Sequence, residues 1–371
     1  MPQQRTITTA LVLLLLAFAA CSTPAREREV SPPGLPQLVP SPPSAPLTDA
    51  DLVVAPDGTD DAPGNLTSPL RTIGAAARRA QPGMIVLVRD GIYTGDITTE
   101  AAGTPSARIA YLAESPNVRI IGVGDQDGVW ENTGDYVDII GFSVSGLNVN
   151  GIYDRGSAVR IMQNRVDAIP GNCIYAQNED YSLADIQVIG NVTSNCGLNA
   201  LDHGIYVTNE RGVVANNIAY GSTGFGIQCW HACNNMSIAN NLVFGNKEGG
   251  IVLGGENSRA DNSFVVNNIA VANGREGIRE GGESGSNNQF LKNLLWGNER
   301  DRILIKTGAE QGTIVADPQF VNFQMDGTGD YRLQPASPGV RVGTAEKTPP
   351  VAIDGRPRPR PGGVDLGPYQ R

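Results

Sequence analysis

"NNIAYG", residues 216–221, recurs with small changes as "NNLVFG" from Asn240, "NNIAVA" from Asn267 and "KNLLWG" from Lys292, and is foreshadowed by "GNVTSN" from Gly190. Self-similarity at a period of roughly 20–50 residues marks a solenoid, a propeller or an array. A second phrase fixes the unit. It reads "GIYD" at Gly151, "CIYA" at Cys173, "GIYV" at Gly204, "GIQC" at Gly226, "GIVL" at Gly250, "GIRE" at Gly277 and "RILI" at Arg302, at spacings of 22, 31, 22, 24, 27 and 25 residues. Short apolar runs flank each Asn pair, as in "VVANN" and "IAY".

Three short β-branched strands per unit, punctuated by Gly and Asn and without a helical period, describe a chain coiling into parallel sheets. The unit is too short for a propeller blade of about 40 residues. One turn cannot bury its apolar side alone, so successive turns stack about 4.8 Å apart into a continuous core. The Asn pairs fall where the chain bends, because Asn tolerates a left-handed backbone. Stacking then predicts a side-chain ladder through Asn191, Asn217, Asn241, Asn268 and Asn293.

The composition agrees with a folded, non-nucleic-acid protein. The chain has 371 residues and is 40% hydrophobic, enough for a sizeable core. Asp and Glu number 38 against 28 Lys and Arg, a net charge of -10. Such a surface repels nucleic-acid phosphates.

The first 20 residues carry Arg5 and then the apolar run "ALVLLLLAFAA", too short to span a bilayer and read as a secretion signal. An ordinary cleaved signal is one reading. "LAFAAC" also resembles the lipobox of bacterial lipoproteins, which implies lipidation of Cys21 and a place in the cell envelope. Residues 21–49 are rich in Pro and Ser without apolar period, as in an unpacked tether. The solenoid is expected over 50–345, and a tail over 346–371 is expected to pack on it as part of a monomer.

An open sheet end needs covering. "SPLRTIGAAARRAQPG" offers an N-terminal capping helix, with Ser68 as N-cap, Pro69 in the first turn and a stop at Pro82 and Gly83. Cys173, Cys196, Cys229 and Cys233 lie in a compartment that permits disulfides. Three pairings are open, as are four buried thiols. Cys229 and Cys233 could close a small loop, and the 23 residues between Cys173 and Cys196 approach one repeat.

"LVVAPDGTDDAPGNLTSPLRTIGAAARRAQPGMIVLVRDGIYTGDI" from Leu52 resembles the opening of right-handed parallel β-helix proteins of the pectate-lyase-like superfamily, including lyases of the chondroitinase B and alginate lyase kind. "ADPQFVNFQMDGTGDYRLQPASPGVRVG" and "DGRPRPRPGGVDLGPY" resemble their C-terminal parts. The resemblance implies an all-β, right-handed parallel β-helix that handles a polysaccharide.

With each "GI" isoleucine inward, the next residue faces outward. That stripe reads Tyr175, Tyr206, Gln228, Val252, Arg279 and Leu304, and two residues further Gln177, Thr208, Trp230, Gly254, Gly281 and Lys306. Tyr175, Tyr206, Gln228, Trp230 and Lys306 form a surface suited to stacking and hydrogen bonding with sugars, or ordinary sheet decoration. Charges cluster before the same strand: Asp202 and His203, Lys247 and Glu248, Arg275 and Glu276, Arg300 and Asp301. His203 is the better acid–base candidate of the two histidines; His231 is placed about 20 Å away along the strand direction. Glu210, Glu256 and Glu283, five residues after their isoleucines, could pair as glycosidase carboxylates or bind calcium through oxygen ligands.

In the families resembled, calcium neutralises the uronate carboxylate, a Lys or Arg removes the C5 proton and another basic residue assists the leaving group. Lys247, Arg275, Arg279 and His203 are the candidates for that chemistry. The expected function is therefore β-elimination on an extracellular acidic polysaccharide by an envelope-anchored protein. Non-catalytic glycan binding and glycoside hydrolysis are the alternatives.

Overall fold

The structure, a computed structural model, describes residues 50–257, 259–359 and 363–371. The expected signal, Cys21 and tether lie outside the described residues. Among those described, the strands form three parallel sheets of 11, 9 and 10 strands and one antiparallel pair. Successive strands visit the sheets in rotation, so each strand pairs with the strand one coil earlier and one coil later. No helix of the described residues is long and apolar enough to cross a membrane.

Register follows from the repeat. In the nine-stranded sheet Trp130, Ile152, Ile174, Ile205, Ile227, Ile251, Ile278 and Ile303 stand in one inward column. All but Ile303 are fully buried. A shift by one residue would turn the whole column to solvent, so burial fixes the pairing.

The Asn pairs divide their labour. Asn216, Asn240 and Asn267 adopt φ near 56°, 55° and 57°, with Lys292 and Gly190 in the same role at 54° and 70°. The second residue of each pair builds the ladder. Asn191 Nδ2 donates to Asn217 Oδ1 at 3.1 Å, Asn217 to Asn241 at 3.0 Å, Asn241 to Asn268 at 3.0 Å and Asn268 to Asn293 at 3.0 Å. A second ladder, Asn246 to Asn273 to Asn298, runs along another corner. The sequence carries its signal in the Asn after Gly245, Ala272 and Gly297.

The helix is shorter than the sequence suggests, running Ile73–Ala77 with Thr72 as N-cap. Ser68 is displaced from that role because Leu70 bridges to Val54 as an extended residue, and Asp60 holds the Arg71 and Thr72 amides. Its buried Ile73, Ala75, Ala76 and Ala77 join the core beside the first strands.

Each sheet meets a different fate on its outer face. On the ten-stranded sheet, Ile218, Tyr220, Leu242, Phe244, Ile269 and Leu294 are covered by Phe320, Tyr331, Leu333 and Leu366 from the C-terminal part. Asn240 Nδ2 binds the Asp365 and Gly367 carbonyls, Asn267 Nδ2 binds Thr344 O, and Arg358 donates to Asn216 Oδ1. The left-handed asparagines thus also moor the tail. The nine-stranded sheet keeps a half-buried aromatic face.

Candidate functional site

The outward column of the nine-stranded sheet reads Thr98, Glu131, Tyr153, Tyr175, Tyr206, Gln228, Val252, Arg279 and Leu304 in register. Alternation along each strand and the coil spacing put these side chains side by side. Tyr153 and Tyr175 stack at 5.1 Å, and Tyr206 packs against Tyr175 at 5.0 Å with the rings tilted by 30°. The Arg155 guanidinium sits 5.6 Å from the Tyr153 centroid. Burial pushes the Tyr206 hydroxyl up to about 12, against the opposing hydrogen bond with Gln228, so it remains protonated and able to donate. Tyr175 hydrogen-bonds Gln177.

Trp230 lies flat on the next two coils. A Cβ at Gly254 would stand 2.4 Å from Trp230 Cζ3, and one at Gly281 2.5 Å from it. The absence of side chains there gives the indole its bed, and Val252 beside it is only 1% exposed although it points outward. Arg279 packs its guanidinium 6.0 Å from the Phe225 ring. Among the described residues it has no carboxylate partner, and its Nε is buried without a hydrogen bond.

Several expected residues sit elsewhere than the sequence suggests. His203 is 1% exposed, enclosed by Tyr206 at 5.2 Å and Phe225 at 5.9 Å. Its Nδ1 accepts the Phe225 amide at 2.9 Å, and burial lowers its pKa to about 3. A buried, neutral imidazole with its lone pair engaged is a packing residue and not an accessible acid. Arg275 pairs with Glu248 at 3.0 Å, which occupies its charge. Lys306 is exposed and turned to the Gly282 carbonyl at 2.9 Å. Lys247 is exposed, in the bend that precedes the strand Gly249–Gly255.

The three glutamates do not assemble a metal site. Glu256 contacts His231, Glu283 accepts the Asn257 amide at 3.4 Å, and Glu210 pairs with Arg211 at 3.3 Å. No group of three or more His, Cys, Asp or Glu placed to hold a metal occurs among the described residues. These three glutamates do not converge on one point, and no step is assigned to a calcium ion.

The four cysteines form Cys173–Cys196 and Cys229–Cys233. The second closes the "CWHAC" loop that carries Trp230 and His231. His231, ranked below His203 by sequence, is the histidine that reaches this face: it stacks on Tyr181 at 4.0 Å and lies 6.5 Å from Tyr206.

A profile described as "Right handed beta helix region" matches residues 127–317, just over half of the chain. A 71-residue stretch is 42% identical to "Pectate lyase PEL9" of Emericella nidulans, covering 18% of this chain and only 17% of that relative. Among solved structures, pectate lyase Pel9A is similar at a TM-score of 0.67 with 17% identity, over 86% of this chain and 96% of that one. An alginate lyase from Paenibacillus sp. str. FPU-7 is similar at 0.53 with 17% identity, over 65% and 91%.

Proposed function

The chain belongs to the right-handed β-helix family, and from that premise we propose that it binds an acidic polysaccharide across the outer face of its nine-stranded sheet and cleaves it by β-elimination. The observation that carries this reading is the column Tyr153, Tyr175, Tyr206, Gln228, Val252 and Arg279, in which three packed tyrosines are followed three coils on by a cation without a carboxylate partner among the described residues. Aromatic faces stack on sugar rings, and an unpaired guanidinium suits a uronate carboxylate. Likeness in fold to a pectate lyase and an alginate lyase, both named for acidic polysaccharides, supports the substrate class.

In the reaction a base removes the proton at C5 of a uronate. The freed electron pair forms the C4–C5 double bond, the C4–O bond breaks, and the departing oxygen takes up a proton. Arg279 is the carboxylate contact, and exposed Lys247 is the proton-removing group. Arg275 would have to leave Glu248 before serving. A lipid anchor at Cys21 followed by the 21–49 tether would hold the domain at the cell envelope.

Incubation with alginate, pectate and chondroitin, each with and without Ca²⁺, should yield the unsaturated uronate chromophore on at least one glycan. Binding without any product would favour the non-catalytic reading, which the engaged Arg275 and buried His203 make the specific competitor. Reducing ends without the chromophore would indicate hydrolysis. Neither binding nor product on any acidic glycan would overturn the reading.

A further inference from the structure

The chain contains two histidines, and both lie against the Tyr206 ring, at 5.2 and 6.5 Å, closer together than the strand count suggests but in different surroundings. His203 is sealed in, whereas the His231 side chain is 19% exposed beside the tyrosine column. His231 holds a left-handed backbone, φ 66°, at the apex of the loop that Cys229–Cys233 closes. Ala232 N–H bonds back to Trp230 O at 3.0 Å inside that loop. A β-bearing residue in this region is costly to hold, and the disulfide with its short loop holds it.

The imidazole is placed as firmly as its backbone. Tyr181, from the long interval between Cys173 and Gly204, stacks on it at 4.0 Å with planes 13° apart. Tyr206 of the outward column lies on it at 6.5 Å and 25°. Nδ1 stands 3.4 Å from Glu256 Oε2. Arg259 reaches the Tyr181 carbonyl, tying the same neighbourhood together. The titratable and charged groups around the ring are therefore Glu256, Tyr181, Tyr206 and Arg259. The Glu256 carboxylate accepts from Nδ1–H, so Nε2 carries the lone pair in the neutral ring and becomes an N–H donor in the protonated ring. Nε2 has no protein partner among the described residues.

We propose that His231 is a sugar-carboxylate contact of the glycan face, aimed by Glu256 through Nδ1, clamped by Tyr181 and Tyr206, and kept in place by the Cys229–Cys233 disulfide. This rests on the reading that the face binds an acidic polysaccharide, and adds to it a second anion contact, at a different coil from Arg279. Its ligand is a carboxylate-bearing sugar unit. In its protonated form the ring donates a charge-assisted hydrogen bond from Nε2 to that carboxylate. Because the loop is closed by Cys229–Cys233, removing that one disulfide loosens the contact and leaves Cys173–Cys196, on the strand that carries Tyr175, in place.

The test uses imidazole-labelled protein and NMR, with trigalacturonate and trimannuronate as probes. The His231 imidazole signal is identified by its absence from His231→Asn, the other histidine, His203, being enclosed and kept neutral by burial. Expected results are a shift of that signal on adding a probe, a loss of affinity of at least about tenfold in His231→Asn, a smaller loss in Glu256→Gln, and weakened binding in Cys229→Ser/Cys233→Ser. Wild-type-like circular dichroism of His231→Asn, in which Asn keeps a residue that tolerates the left-handed backbone, keeps the comparison clean. Undiminished affinity in His231→Asn with no shift of the signal, while the probe still binds, overturns this proposal and leaves the glycan face standing. Absence of binding by either probe at any pH overturns both.

Discussion

At the scale of single residues, side chains of one chemical type part company by position. Asp154 continues the inward column after Thr99 and Asn132, accepting from Asn132 Nδ2 at 2.8 Å and the Gly156 amide at 3.2 Å, while its Oδ2 has no partner. Burial lifts its pKa to about 7. A carboxyl raised in the folded state is stabilising while protonated: the full contribution is present below about pH 4, the unfolded value, and is lost as pH rises through about 7. Wild-type protein should therefore lose on the order of 3 kcal/mol between pH 5 and pH 8 through this group, by about 1.4 kcal/mol per unit. Asp154→Asn should flatten that slope in thermal melts, and an unchanged slope would show that Asp154 is already solvated.

Glu280 behaves in the opposite way. Also inward and buried, it accepts the Lys306, Thr307 and Gly308 amides at 2.8, 2.8 and 3.0 Å, and these bonds outweigh burial and lower its pKa. Its contribution is present above the unfolded value and lost in acid as pH falls through the lowered folded value. The sequence showed both as acidic residues on strands. What separates them is whether a neighbouring coil turns backbone N–H groups toward the carboxylate, which spacing alone does not reveal.

At the scale of the strand and corner, the repeat was the most legible part of the chain. The "GI" alignment placed Tyr175, Tyr206, Gln228, Val252 and Arg279 in one column, and the structure has that register. His203 was misread because alternation tells which face a residue points to and not what leans over it; Phe225 and Tyr206 enclose it sideways. The helix start was misread because Leu70 is claimed by a strand bridge that no local propensity announces. Corner asparagines should carry stability cooperatively. Asn241→Ala removes the acceptor for Asn217 and the donor to Val214 O, leaving buried polar groups unpaired. A loss of about 3 kcal/mol is expected in urea unfolding, and one below about 0.5 kcal/mol would deny the ladder a stabilising role.

A second element-scale prediction concerns Trp230. Gly254→Val has no room beneath the indole. It should lift Trp230 off the sheet, visible as a red-shifted, more quenchable Trp component, and weaken glycan binding while leaving the inward column intact. An unaltered spectrum would mean that the indole does not depend on its glycine bed.

At the scale of the whole described chain, the C-terminal part covers the ten-stranded sheet and leaves the nine-stranded sheet accessible. Arg358 is central to that closure: buried, it donates to Asn216 Oδ1 at 2.9 Å and to the Gly367 and Pro368 carbonyls at 3.0 and 3.1 Å. Arg358→Met should release the tail, seen as new protease cuts after about residue 343 and a stability loss of about 3 kcal/mol from stranded acceptors. Protection equal to wild type would show that the apolar cover suffices alone. The tail was recognised from its family resemblance, yet its mooring to Asn216, Asn240 and Asn267 lay beyond reach, because those contacts span more than 70 residues with no periodicity to mark them.

The account turns on the tyrosine–arginine face as an acidic-glycan surface. The most direct measurement is calorimetric titration of wild type and Arg279→Ala with oligogalacturonate, oligomannuronate and a neutral oligosaccharide of equal length. The account predicts binding of an acidic oligomer by wild type, a drop of at least about tenfold in the variant at unchanged melting temperature, and little binding of the neutral chain. Equal affinity of wild type and Arg279→Ala, or equal affinity for the neutral chain, would contradict it.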